Sequence, residues 1–421
     1  MKAYLPMLFS GLTLAGQTFA ADPIKVGETD WPWWRGPSND GKARTGQDIP
    51  LTWSETKNVI WKSPVRGRGH GSPTVVGDKI LLATADADEG SQAILAFDRK
   101  TGARRWDITV NMGNLPKKIH AKNTHASATV ASDGQRAFAA FYNNDAVQVV
   151  ALHLKGTPAW SKHVGPFKPT QYEFGYAPSP ALYKDTVIVA ADYEEGGFIV
   201  ALDRETGEEK WKIDRPKDEV NYASPVIGRV AGREQLLISG CKLMASYDPN
   251  TGRSLWQARA GASATCGSVV WSDNLVFASG GYPEKLTVAV KADGSGETVW
   301  QNNQKSYEQS MLVTGGHLYA LTDNGIAYCW HAADGTEKWK QRLRGPVSSS
   351  PILVNDRIYA TNEKGTTFVF KATPAGYEEL ARNQLGDEGF ATLTVCGDRV
   401  YIRAAHRGGE REEMLYCIGS K

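Results

Sequence analysis

Short apolar runs recur along the chain about every 40–50 residues, each closed by one polar phrase: Asp-x-x-Thr-Gly, then four residues ending in Trp. Three copies are nearly complete: Ile94-Leu95-Ala96-Phe97-Asp98…Thr101-Gly102…Trp106, Ile199-Val200-Ala201-Leu202-Asp203…Thr206-Gly207…Trp211, and Ala245-Ser246-Tyr247-Asp248…Thr251-Gly252…Trp256. Worn copies run from His153 to Trp160, Lys291 to Trp300, His331 to Trp339 and Lys371 to Leu380. Runs such as Lys79-Ile80-Leu81-Leu82-Ala83 predict strands covered on both faces. In the phrase, Gly supplies the positive φ of a tight turn, and Asp and Thr bond nearby backbone groups. The Trp that follows falls on the outermost strand of its repeat, where it can bury about 150–250 Å² against the next repeat. Trp61, Trp106, Trp160, Trp211, Trp256, Trp300 and Trp339, with Leu380, are therefore expected to form a belt joining repeat to repeat.

A second mark opens each repeat: Ser72-Pro73-Thr74-Val75-Val76-Gly77-Asp78, a short strand ending in a Gly-Asp turn. Its counterparts start at Ser127, Ser179, Ser224, Gly267, Ser310, Ser350 and Ala391. Eight openings meet only seven closings after them, and the missing closing lies at the start of the chain, in Asn58-Val59-Ile60-Trp61-Lys62. Pairing first and last segments in one sheet removes the free edges of an open array. The expected fold is thus all-β, an eight-bladed β-propeller of four-stranded blades. A strand at about Val59 to Pro64 completes the last blade, whose other three strands lie between about Gly389 and Gly419. The expected divisions are a signal peptide at 1–20, an N-terminal extension at 21–57 and the propeller at 58–421.

Length alone, 421 residues, would suggest two or three domains. The repeat replaces that expectation with one radial array. A net charge of +2 on 22% charged residues gives no global argument for nucleic acid. No segment after residue 22 is apolar enough to span a bilayer. Lys2, the apolar stretch Leu5 to Leu14 and the small residues around Ala20 read as a secretory signal, placing the mature chain in the periplasm or outside the cell. Cys241, Cys266, Cys329, Cys396 and Cys417 are widely spaced and read as buried hydrophobes, with no C-x-x-C or adjacent pair for a metal or redox site.

The Ala-x-Asp-x-x-Thr-Gly-x-x-x-Trp phrase resembles the tryptophan-docking motif of quinoprotein alcohol dehydrogenases and of BamB-type outer-membrane assembly lipoproteins, both eight-bladed. The resemblance covers about Trp31 to Cys417, and Trp31-Pro32-Trp33-Trp34-Arg35-Gly36-Pro37…Gly41 is similar to the start of mature quinoproteins. The dehydrogenase branch implies PQQ stacked between a Trp and a disulfide of adjacent cysteines, with calcium and an Asp base. This chain has no adjacent cysteines, and none of Trp31, Trp33, Trp34, Trp53, Trp271 and Trp330 presents itself as a channel floor. No catalytic residue, cofactor ligand or metal ligand is therefore assigned. The BamB-type branch implies a monomeric, non-enzymatic envelope protein that holds a protein or peptide partner. PQQ with calcium, or another small ligand in the channel, is the alternative.

The long excursions all fall in loops that share one face of a propeller: Asn111 to Thr124, His163 to Tyr176, Ala85 to Ser91, Asp192 to Gly197 and Ala405 to Glu413. Aligning the eight openings places His70, His125, Tyr176, Tyr222, Cys266, Glu308, Gln309, Ser349, Glu388 and Phe390 at the channel mouth, a candidate site for a small polar ligand or a cation. Arg66, Arg68, His70, Lys117, Lys118, His120, Lys122 and His125 form a basic stretch on that face, able to attract an acidic partner or an anion, with Asp86, Asp88, Glu89, Glu194 and Glu195 nearby to offset it.

Overall fold

In a computed structural model, which describes residues 23–217 and 219–420, the apolar runs pair into eight antiparallel four-stranded sheets. The expected signal peptide and its cleavage point lie outside the described residues. Blade 1 comprises Thr74–Val76, Lys79–Asp86, Ser91–Asp98 and Arg104–Met112, from the channel outward, and the next six repeat this order along the chain. Blade 8 takes Thr394–Cys396, Arg399–His406 and Glu412–Ile418 from the end of the chain. Its outer strand is Val59–Val65, with Trp61 opposite Cys417 and Pro64 opposite Met414. The result is an eight-bladed β-propeller. No helix occurs among the described residues, and hence none long and apolar enough to cross a membrane.

The two middle strands of each blade are buried almost throughout, as in Ser91–Asp98, because each sheet is packed on both faces by its neighbours. Outer strands alternate instead, as in Glu209–Asp214. Most of the outer-strand tryptophans reach across to the next blade. Trp106 donates its indole N–H to the Leu154 carbonyl at 3.0 Å, Trp160 to Arg204 at 3.0 Å, Trp300 to Ala332 at 2.8 Å and Trp339 to Thr373 at 2.8 Å. The glycine of the Thr-Gly turn makes room for the ring: a Cβ on Gly102 (φ 76°) would lie 2.5 Å from Trp61. Trp256 shares a buried apolar cluster with Val276 and Val288 of blade 5, as the belt requires, and differs only in its hydrogen bond. Its N–H goes to the buried amide oxygen of Gln235, in its own blade, at 2.7 Å.

The aspartates of the phrase are turn-formers. Asp98 accepts from the Lys100 and Thr101 backbone N–H groups and from the Thr101 hydroxyl. Those bonds, above all from the Thr101 hydroxyl, with Arg105, lower its carboxyl to about 2.

The segment before the first blade does not lie on the outside of the ring. Trp31 bridges to Val75 of blade 1, Ser132 of blade 2 donates to the Pro32 carbonyl, and Trp34 donates to the Ser268 hydroxyl beside blade 5 at 2.9 Å. Asn39 reaches Ile227 of blade 4, and Lys42 pairs with Leu353 of blade 7. Residues 31–42 thus cross the base of the channel and touch blades on every side. Arg35 is the centre of this crossing. It is buried, and it donates to the carbonyls of Pro351 at 2.8 Å and Met311 at 2.6 Å. Burial lowers its guanidinium to about 10, so it remains charged at neutral pH.

Replacing Arg35 by Met removes these donors and leaves two buried carbonyls unpaired. We expect Arg35→Met to lower unfolding stability by about 3 kcal/mol in a denaturant titration. A loss below about 0.5 kcal/mol would show that the crossing segment does not brace the ring.

Candidate functional site

A circle of hydroxyls lies between the crossing segment and the channel mouth. The Ser72 N–H donates to Thr129 Oγ1, Thr129 to Ser179 Oγ and Ser179 to Ser224 Oγ, at 2.8–3.0 Å. On the other side Ser268 donates to Ser310, Ser310 to Ser350 and Ser350 to Thr392 Oγ1. In six of the eight blades the opening hydroxyl therefore receives an N–H from the blade before it; the exceptions are Ser72 of blade 1, whose hydroxyl has no partner among the described residues, and Ser268 of blade 5. This accounts for the recurring hydroxyls in the opening mark, although the residues in register are Thr129, Ser268 and Thr392 rather than Ser127, Gly267 and Ala391. The break between blades 4 and 5 is where Trp34 inserts and binds Ser268.

Above this circle is a cavity of about 170 Å³. Trp34 is on its lining, with Thr129, Ser179, Ser224 and Thr392 beside it and Phe174, Tyr222, Tyr307 and Phe390 on the walls. The expectation that no tryptophan serves the channel floor is therefore corrected. Trp34 lies outside the repeats, so alignment of blades could not place it. The motif Trp31–Gly41 was the available signal, but it carries no register against the ring.

Of the residues expected at the mouth, His70, Tyr222, Cys266, Glu308 and Phe390 line this cavity. His70 stacks on Phe390 with ring centroids 4.4 Å apart. Tyr222 donates to the Tyr172 carbonyl. The placements of His125, Tyr176, Gln309 and Ser349 are corrected. His125 and Tyr176 flank a separate small void, and Tyr176 is buried with its hydroxyl on the Ala190 carbonyl at 3.0 Å. Gln309 is buried and donates to the Val347 carbonyl, and Ser349 to the Thr361 carbonyl. Side chains alternate across a strand entrance, so a shift of one position turns a residue from the channel into the blade interface. Glu388 lies in an adjoining cleft with Arg68, Arg407 and Arg411.

The two long inter-blade loops fold over the mouth and hold one another. The His120 N–H and the Asn123 side-chain amide both donate to the Phe174 carbonyl, and His120 meets Phe174 edge-on at 5.0 Å. Lys122 crosses to Glu363 of blade 7 at 2.6 Å. His120, Lys122, Asn123, Phe174 and Tyr307 were not placed at the channel by the blade alignment, because loop residues have no blade register. The basic stretch is largely paired. Arg66 meets Asp107 at 2.7 Å and Lys118 meets Glu173 at 2.7 Å. Of the acids expected to offset it, Glu89 comes within 3.9 Å of Arg66 and Asp86 adds its charge there.

Burial holds the His70 imidazole far below its ordinary value, and Arg68, Arg403 and Arg411 push the same way. Burial also lowers His125. Burial raises the Glu308 carboxyl, with Glu363 and Asp323 adding to the rise against the Ser348 hydrogen bond and Lys122. The cavity thus combines aromatic walls, a neutral imidazole and one carboxyl group that resists ionisation. That chemistry suits an uncharged or aromatic group better than a metal ion, and no group of three or more candidate metal ligands occurs among the described residues.

A family model described as outer membrane protein assembly factor BamB matches residues 43–120, 90–307 and 284–376. BamB of Burkholderia pseudomallei (strain K96243) is 23% identical over 360 residues, spanning 77% of this chain and 91% of that protein. The crystal structure of BamB from Moraxella catarrhalis superposes with a TM-score of 0.59 at 15% identity, over 85% of this chain and 99% of that one. Quinohemoprotein alcohol dehydrogenase from Comamonas testosteroni superposes with a TM-score of 0.67 at 13% identity, over 94% of this chain and 81% of that one. At these identities the two structural likenesses concern the fold.

The low imidazole values generate a pH dependence. A histidine held neutral in the folded chain protonates first in the unfolded chain, so stability falls as pH drops below the ordinary 6.5. Each such histidine contributes a slope of up to about 1.4 kcal/mol per pH unit. Glu308 acts oppositely, favouring the folded state below its raised value. We expect the melting temperature to fall between pH 7 and pH 5.5, and His70→Gln to flatten that fall. An unchanged slope in His70→Gln would show that this imidazole takes up its proton as readily in the folded chain as in the unfolded one.

Proposed function

Since the chain belongs to the family of the outer membrane protein assembly factor BamB, we propose that it is a non-enzymatic binding protein of the cell envelope. On this reading it is exported by its N-terminal signal, is freed by cleavage near Ala20 and works as a monomer. It engages a protein or peptide partner through the loop-rich mouth of the ring. The observation that carries the reading is the pair of inter-blade loops folded over the mouth and pinned through Phe174. Loops that are long, ordered and gathered on one end of a rigid ring are the usual place for recognition. Tyr172 of the second loop meets Tyr282, from the middle loop of blade 5, edge-on at 5.5 Å, and Tyr282 is 46% exposed. Tyrosines at such positions offer apolar area with a polar tip at low entropy cost.

The alternative is a dehydrogenase holding PQQ and calcium in the channel. Trp34 on the floor is the one observation in its favour. The rest of the lining does not fit. PQQ carries three carboxylates on one rigid ring system, whereas the only Lys or Arg lining the cavity itself is Lys122, paired with Glu363, and the arginines lie together in the cleft on one side of it. Calcium prefers six to eight oxygen ligands including ionised carboxylates, and the lining offers the single carboxyl of Glu308, which burial drives toward neutrality. Cys266 stands alone in the wall. We therefore assign no cofactor, metal or catalytic residue.

The test is affinity capture from an envelope extract of the source organism, using the mature chain as bait. We expect a discrete partner whose recovery drops about tenfold in a Tyr172→Ala, Tyr282→Ala double variant, about 1.4 kcal/mol. An Asn250→Ala, Asp293→Ala variant at the opposite end of the ring should capture as the unsubstituted chain does. Equal capture by both variants would place recognition elsewhere.

A further inference from the structure

The cavity opens beside a cleft whose charges do not balance. The cleft is lined by Arg68, Lys122, Arg407 and Arg411 against Glu363 and Glu388. Glu388 lies 2.5 Å from Arg411 and 3.2 Å from Arg407. Arg411 and the buried Arg403 also share Glu413, which fixes Arg411 in place. Lys122 is held by Glu363. That leaves Arg68. Its guanidinium is 3.8 Å from Glu388, beyond a hydrogen bond, and its side chain makes none with any described residue. Its Nε is buried without a partner. Burial and the neighbouring Arg411 both weaken its hold on its proton. A guanidinium presents a planar fork of donors suited to a carboxylate. An anion here would satisfy Arg68 and relieve repulsion among the arginines.

Phe390 and Lys122 line both the cleft and the channel cavity, so the two spaces adjoin. A group attached to an anion at Arg68 would enter a chamber walled by Phe390, Phe174, Tyr222 and Tyr307 with Trp34 on its lining. Aromatic walls favour an aromatic guest through edge-to-face and stacked contacts. We propose that cleft and cavity together bind an aromatic carboxylate, its carboxylate on Arg68 and Arg407 and its ring in the cavity. This rests on the reading that the mouth is the recognition face, and it names the chemistry recognised there. A free aromatic acid and the C-terminal residue of a polypeptide share that chemistry.

Calorimetric titration of the mature chain tests the proposal with N-acetylphenylalanine, its amide, and N-acetylalanine. The acid is expected to bind, and the amide and the alanine acid to bind at least about tenfold more weakly. Arg68→Gln should lose about tenfold for the acid. Because Arg68 is partly buried, Arg407→Ala serves as the second variant: that side chain is 67% exposed, so the fold is retained, and a loss of about threefold is expected. A hexapeptide ending in free phenylalanine that binds at least tenfold tighter than the single residue identifies a chain end as the ligand; equal binding identifies a small acid. The proposal is overturned if the acid does not bind, if acid and amide bind alike, or if both variants bind as the unsubstituted chain does. If it is overturned while capture still depends on Tyr172 and Tyr282, the recognition face stands and only the ligand chemistry is wrong.

Discussion

A ring of sheets is stable only if it has no first and no last edge. Here that requirement is met by Val59–Val65, which leaves the start of the chain to pair with Glu412–Ile418 at its end. An unpaired strand at that place would expose a row of backbone donors and acceptors and a ready template for association. Pairing the two ends also settles where the rest of the N-terminal segment must go. Since residue 59 enters on the outer strand of blade 8, residues 31–42 reach it after crossing the base of the channel. The crossing closes one end of the ring around Arg35 and Trp34 and leaves the other end open. Closure of the sheet and one-sidedness of the channel are thus two results of one constraint.

The open end inherits the functional features. Eight inner strands converge there, and water-facing entrances alternate with residues turned into the blade interfaces. The loops from blades 1 and 2 narrow the opening by bonding to Phe174 and by the ion pair of Lys122 with Glu363. Underneath, aromatic rings and hydroxyls replace charge, which is why His70 stays neutral and Glu308 resists ionisation. At the edge of the same opening, arginines outnumber their carboxylates. An apolar chamber beside a cationic cleft is a combination that neither the ring nor its stability requires.

The architecture was legible in the sequence because it is written in repeats. Each Thr-Gly turn needs its glycine for the passing indole, and six of the eight opening residues use a hydroxyl to bond the blade before, so both recur with the period of the blade. Closure was legible from the surplus opening at Ala391 and the early closing at Trp61. The site was only partly legible. His70, Tyr222, Glu308 and Phe390 follow from aligned openings, whereas Tyr176 and Gln309 show how one step along a strand turns a side chain away. Trp34, Lys122 and Phe174 belong to segments with no period, and their positions depend on long-range contacts that spacing does not encode. Arg68 was visible as a charge, but that its side chain goes without a hydrogen bond among the described residues depends on how Arg411 and Arg407 occupy Glu388.

The central claim is that the ring works from its open end. Photo-crosslinking in the cell tests it most directly, with a photoreactive residue placed in turn at Tyr172, Arg407, Asn250 and Asp293. The account predicts discrete protein adducts from Tyr172 and Arg407 and none from Asn250 or Asp293. Adducts formed from Asn250 or Asp293 but not from the first two positions would contradict it.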